Sequence, residues 1–177
     1  MNVATLSTHL QRGAAHPLIP GLAIAGLAFA LLAGAYAFEY LGGLKPCPLC
    51  LEQRGPWFAL IPVGGFIYST GMAKAPRNLI MALYAAAIVI ALWSAYLGAF
   101  HAGVEYKWWP GPQSCSGGGL PLDGGLLGPV SASDIVWCDV IPWSMFGISL
   151  AGFNFLFSLV AAGLAGLGLR TATMEKQ

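Results

Sequence analysis

The chain has 177 residues, 57% of them hydrophobic and 8% charged, with a formal net charge of +1 and a mean hydropathy of +0.71. Soluble domains carry roughly 25% charged residues, so most side chains here do not face water. The near-neutral balance excludes a nucleic-acid surface, which needs a basic patch against phosphate; what remains is a single membrane-embedded domain over residues 1–177.

Residues 1–17 read as a short tail. Four stretches free of Asp, Glu, Lys and Arg follow, at 18–38, 55–73, 78–104 and 140–169. Each supplies the roughly 20 apolar residues needed to cross a hydrocarbon layer as a helix. Helices are required because backbone amides find no water partner there, and a barrel would need short alternating strands rather than continuous apolar runs. The fold predicted is an all-α membrane protein, a four-transmembrane-helix bundle with spans at about 18–40, 52–72, 78–101 and 142–169 and loops at about 41–51 and 102–141. A cleaved signal peptide is the alternative for the first run, but its 21 residues exceed the ~7–15 of a signal core. Gly42-Gly43 with Pro46 ends the first helix, Pro62 is expected to kink the second, and Lys74-Ala75-Pro76-Arg77 makes a tight turn. Tyr106, Trp108 and Trp109, matched by Trp137 and Trp143, form an expected interfacial belt. Glycine and proline crowd residues 110–129, which should be mobile.

Four spans put both termini on one side, with Arg12, Lys74, Arg77, Arg170 and Lys176, five of the eight basic residues. Lys45, Arg54 and Lys107 lie opposite, together with Glu39, Glu52, Glu105, Asp123, Asp134 and Asp139. The positive-inside bias assigns the termini to the cytoplasm. All four cysteines fall on the other side, which suits an oxidising periplasm.

Cys47-Pro48-Leu49-Cys50 is a CxxC motif, with Cys50 at or just before a helix N-terminus, where backbone N–H groups favour the reactive thiolate. A static clip is the plainer reading of the same pair. Haem attachment would need His where Leu51 stands, and zinc would want a second close pair or histidines nearby in sequence, so no metal is predicted. Cys115 and Cys138 could form a staple worth roughly 3 kcal/mol; the three glycines beside Cys115 suit instead a sulfur that moves. Arg54, four residues after Cys50, shares its helical face. It either snorkels to head groups or stabilises negative charge developing on a redox carrier beside Cys50. No nucleotide-cofactor fingerprint is present, which leaves a lipid-soluble quinone as the economical acceptor.

The run Cys47-Pro48-Leu49-Cys50-Leu51-Glu52-Gln53-Arg54 resembles the CxLCxxQR signature of the disulfide bond formation B (DsbB) family. Trp137-Cys138 and Pro142-Trp143 are similar to that family too, and the resemblance covers nearly the whole chain. It implies an inner-membrane protein-disulfide:quinone oxidoreductase that reoxidises a periplasmic DsbA-like thioredoxin-fold protein. By that resemblance Cys115 is attacked by the partner, Cys138 passes electrons to Cys47, and Cys50 reacts with quinone beside Arg54. The acceptor is read as ubiquinone rather than menaquinone, drawn from the membrane quinone pool. Some members carry a histidine near the outer end of the third span that assists the quinone; His101 is the candidate, with Tyr106 as alternative and a satisfied interfacial histidine as the plainer reading. The glycine-rich loop puts the family's membrane-lying helix in doubt, and with it how the two cysteine pairs meet. Two rivals remain: a vitamin K epoxide reductase-like bundle, in which CxxC sits on a late helix, and a scaffold with stapled loops.

Overall fold

A computed structural model describes residues 18–112, 115 and 136–174. The expected tail and most of the glycine-rich loop lie outside the described residues. Among the described residues there are four long helices: α1 (Leu18–Tyr40), α2 (Pro48–Met72), α3 (Arg77–Glu105) and α4 (Leu150–Met174). A two-residue antiparallel ladder, β1 (Ser144–Met145) and β2 (Ile148–Ser149), precedes α4.

The helix ends follow local chemistry. α1 closes where the amides of Leu41 and Gly42 both bond back to the Ala37 carbonyl, at 2.9 and 3.0 Å, and Gly43 takes a left-handed φ of +69°. Cys47 is extended (φ −78°, ψ 166°), as the residue before a proline must be, and becomes the N-cap of α2 with Pro48 in its first turn. This moves the start of the second helix to Pro48, ahead of the expected 52, because proline lacks the N–H that a first-turn residue cannot satisfy anyway. α2 then runs unbroken through Pro56 and Pro62. α3 continues past His101 to Glu105, through Gly103, where the Trp109 ring packs in the place of a Cβ, and Tyr106 caps it. α4 begins at Leu150 rather than Pro142. The intervening chain turns tightly through Phe146 (φ 53°) and Gly147 (φ 77°), two left-handed residues of the kind a two-residue hairpin requires.

Ile24, Leu32, Trp57, Leu60, Ile67 and Tyr84 form the buried centre, with alanines at 28, 87, 91, 161 and 165 between them. Small residues let helices approach closely: a methyl added at Gly64 would meet the Gly21 carbonyl at 2.6 Å, and one at Gly98 the Phe155 amide at 2.7 Å. Large apolar side chains point outward instead of inward, among them Phe29, Val89, Trp93 and Leu167. Among the described residues three helices (Ile19–Tyr40 of α1, α3 and α4) are long and apolar enough to cross a membrane. α2, with 25 residues, has similar length but carries Glu52, Gln53 and Arg54 in its second turn. Lys74 and Arg77 sit at the end of the bundle where α4 finishes; the Arg77 Nε donates to the Ala172 carbonyl at 2.7 Å and its Nη2 to that of Thr173. Cys47 and Cys50 lie at the start of α2, the opposite end.

Candidate redox site

Capping decides the geometry of the CxxC pair. With Cys47 at the N-cap, its Sγ accepts the Cys50 amide at 3.2 Å, and the two sulfurs stand 2.8 Å apart as free thiols. Cys47 donates its S–H to Cys50. Both thiols precede the apolar run of α2. The hydrogen bond from Cys47 lowers the Cys50 thiol below its ordinary value, outweighing burial, and Arg54 contributes in the same direction. Donating that bond raises Cys47, as do burial and the charge of Cys50. One pair thus holds a thiolate-prone and a thiol-prone sulfur, the asymmetry that exchange chemistry uses.

Cys115 and Cys138 form a disulfide, and the Cys138 amide donates to the Cys115 carbonyl at 2.7 Å. The sulfurs of Cys47, Cys115 and Cys138 all lie within 4.8 Å of one another. They are packed with Leu49, Val104, Phe100 and Val136 in a small apolar cluster at this end of the bundle. Cys47 therefore stands between its own partner and the second pair, a few ångströms from the roughly 2.05 Å of an S–S bond. The meeting of the two pairs, open on sequence, is direct.

Cys50 turns the other way, into an apolar cavity of about 360 Å³. Leu31, Phe38, Trp57, Trp143, Phe153 and Phe157 supply much of its wall; Lys45, Cys50, Gln53, Arg54, His101 and Glu105 are the polar exceptions near the cysteines. Arg54 lies one turn below Cys50, its Nη1 2.6 Å from Glu39 Oε2, close though not aligned as a hydrogen bond, and its guanidinium carbon 4.7 Å from the centre of the Tyr36 ring. His101 is buried, with Nε2 3.6 Å from Cys47 Sγ and Nδ1 2.6 Å from Gln53 Nε2. The Gln53 amide also donates to the Leu49 carbonyl at 3.2 Å, which orients it so that His101 Nδ1 accepts and Nε2 carries the ring proton. Tyr106 faces elsewhere: its hydroxyl donates to the Gly147 carbonyl at 2.7 Å and accepts the Ser149 amide at 3.0 Å, tying α3 to the hairpin. Of the two aromatic alternatives at the end of α3, His101 is the one at the cavity.

Six residues singled out in the sequence, Cys47, Cys50, Arg54, His101, Cys115 and Cys138, thus converge at one end of the bundle. Gln53, Glu105 and Glu39 were not assigned roles there. Gln53 is four residues after Leu49 and Glu105 four after His101, so helical spacing was the available signal. Glu39, which pairs with Arg54, lies on a different helix and gave none. Reasoning from sequence separation also missed that a histidine reaches the CxxC pair: Cys47, Cys50 and His101 offer three ligand atoms within 4.8 Å. That is one short of a closed zinc set, and Cys47 is simultaneously within reach of the second pair. A metal held by these three would keep Cys47 from Cys115 and Cys138.

The chain matches the family model described as disulfide bond formation protein DsbB over residues 19–168. It is 33% identical over 177 residues to the disulfide bond formation protein B of Burkholderia thailandensis, with 96% of each chain covered. It is 32% identical over 166 residues to that of Verminephrobacter eiseniae (85% of this chain, 88% of the relative). Against that of a Polaromonas species the identity is 31% over 159 residues (85% and 89%). No solved structure gives a significant match.

Proposed function

The chain belongs to the disulfide bond formation protein DsbB family, and on that premise we propose that it is a membrane thiol oxidase passing electrons from a periplasmic dithiol protein, through Cys115/Cys138 and Cys47/Cys50, to a quinone. The observation that carries this reading is the position of Cys47 and Cys50: one sulfur against the second pair, the other in an apolar cavity beside a cation. A staple has no use for such a cavity.

A thioredoxin-fold dithiol of the DsbA kind attacks Cys115 and forms a mixed disulfide. Cys115 and Cys138 are 2% and 0% exposed, so Cys115 must lift from Leu49, Phe100 and Val104 for that attack. Cys138, released, reduces the CxxC pair through Cys47. Cys50 then faces the oxidising substrate. An aromatic, mostly apolar cavity with one guanidinium suits a quinone ring, whose oxygens gain negative charge as they are reduced; ubiquinone is the favoured head group. Arg54 stabilises that charge, and Gln53 holds His101 in place. α2 completes a four-span bundle: its 25 residues reach about 37 Å at 1.5 Å each, and its polar second turn belongs in the head-group layer. The spans are then about 18–40, 52–72, 78–101 and 150–169, in the inner membrane, with the cysteine end periplasmic and the Lys74/Arg77/Arg170 end cytoplasmic.

The test mixes purified protein with a reduced thioredoxin-fold dithiol and a soluble quinone analogue, following quinol and free thiols together. Turnover that disappears in Cys50→Ser is expected. A folded, oxidised protein that reduces no quinone overturns the reading and leaves the scaffold alternative.

A further inference from the structure

Glu105 lines the same cavity, at the last turn of α3, and the relay above gives it no task. It is only 5% exposed. Its Oε1 is 3.8 Å from His101 Nε2, the buried Ser149 lies against the carboxyl, and Oε2 makes no hydrogen bond among the described residues. The nearby guanidinium does not neutralise it, because Arg54 is held by Glu39 at 2.6 Å. A buried carboxylate with one oxygen unpaired is costly, whereas a neutral acid holding its proton at that oxygen is far less so. A buried group of this kind in the same cavity as Cys50 is placed to exchange a proton with what binds there.

We propose that Glu105 is a general acid of this site, supplying one of the two protons that quinone reduction consumes. The inference rests on the thiol:quinone reading. The reduced pair carries both electrons but, with Cys50 as thiolate, only one proton, on Cys47. In the step, the Cys47 S–H bond breaks, the Cys47–Cys50 bond forms, and the electron pair enters the quinone. One proton leaves Cys47, whose S–H is directed at Cys50; the other leaves Glu105, which remains as carboxylate. The charge is −1 before, on Cys50, and −1 after, on Glu105. When the next dithiol reduces the Cys47–Cys50 bond and leaves Cys50 as thiolate, one proton is released, and it returns to Glu105. The other titratable groups lining the cavity are Lys45, Cys50, Arg54 and His101.

Glu105→Gln keeps the shape and removes the acid. With the full-length protein in nanodiscs, the prereduced variant is expected to reduce a soluble quinone analogue about 100-fold more slowly. Its disulfide exchange with a reduced thioredoxin-fold dithiol, measured without quinone, should still go to completion, the released proton passing to water, which also reports that it folds. Independently of quinone, infrared difference spectra should show a protonated-carboxyl band that appears when the wild-type pair is reduced, is absent from Glu105→Gln and persists, shifted, in Glu105→Asp. Wild-type quinone kinetics in Glu105→Gln, or no such band in the wild type, overturns the role of Glu105 alone. Failure of the wild-type protein to reduce any quinone overturns the thiol:quinone reading and this inference with it.

Discussion

Replacing Arg54 by Gln removes two things at once, and the structure allows them to be separated. One is the partner of Glu39. Arg54 and Glu39 side chains retain 12% and 21% exposure at a separation of 2.6 Å, so the pair is largely out of water. Removing one member of such a pair leaves an uncompensated charge at a cost of about 3 kcal/mol, the low end of the range because Glu39 keeps some contact with solvent. The other loss is the positive charge facing the cavity. A missing electrostatic contact to a developing oxyanion slows the chemical step by roughly 10²–10³-fold. Unfolding in denaturant reads the first loss, and quinone reduction by prereduced protein reads the second. The double variant Glu39→Gln/Arg54→Gln removes both charges, so stability should return to within about 1 kcal/mol of wild type while the rate stays low. Recovery of the wild-type quinone rate in the double variant would refute the reasoning, since Arg54 would then serve only to neutralise Glu39.

Alkylation of the reduced protein should mark Cys50 well before Cys47. Because the Cys50 thiol is lowered, its labelling should persist as pH falls below the ordinary thiol range while Cys47 is still protonated; mass spectrometry finding equal or inverted labelling would contradict this. Cys→Ser at 47, 50, 115 or 138 should each abolish steady turnover, because each sulfur carries one step, and measurable sustained turnover in any of the four would remove that residue from the relay. Gln53→Leu strips the buried His101 Nδ1 of its 2.6 Å partner and should destabilise the protein by about 1–3 kcal/mol, checked by denaturant midpoint. Gly64→Leu forces side-chain atoms into the Gly21 backbone, only 2.6 Å from the position of an added Cβ, and should cost about 1–3 kcal/mol or more by overpacking; an unchanged midpoint would mean α1 and α2 are free to separate.

Much of this protein was legible in residue order because a membrane solvent imposes one-dimensional rules. The scarcity of charge forces helices, and charge-free runs locate them; the CxxC spacing, with Pro48 between the cysteines, marks a redox pair at a helix start. Helix ends were less legible. A cap such as Cys47 or Tyr106 depends on where hydrogen bonds close, and the left-handed turn at Phe146 and Gly147 delayed α4 beyond the boundary that hydrophobicity alone implied. What only the tertiary structure decided is which distant residues share a space. Residues 39 and 54 meet where Gly21 and Gly64 allow α1 and α2 to pack closely, and residues 47 and 101 meet where the start of α2 lies against α3. Along one helix, spacing alone ties Glu105 to His101 and Arg54 to Cys50; across helices no spacing exists, and only packing brings His101 to Cys47, Glu39 to Arg54, and Cys47 to the second pair.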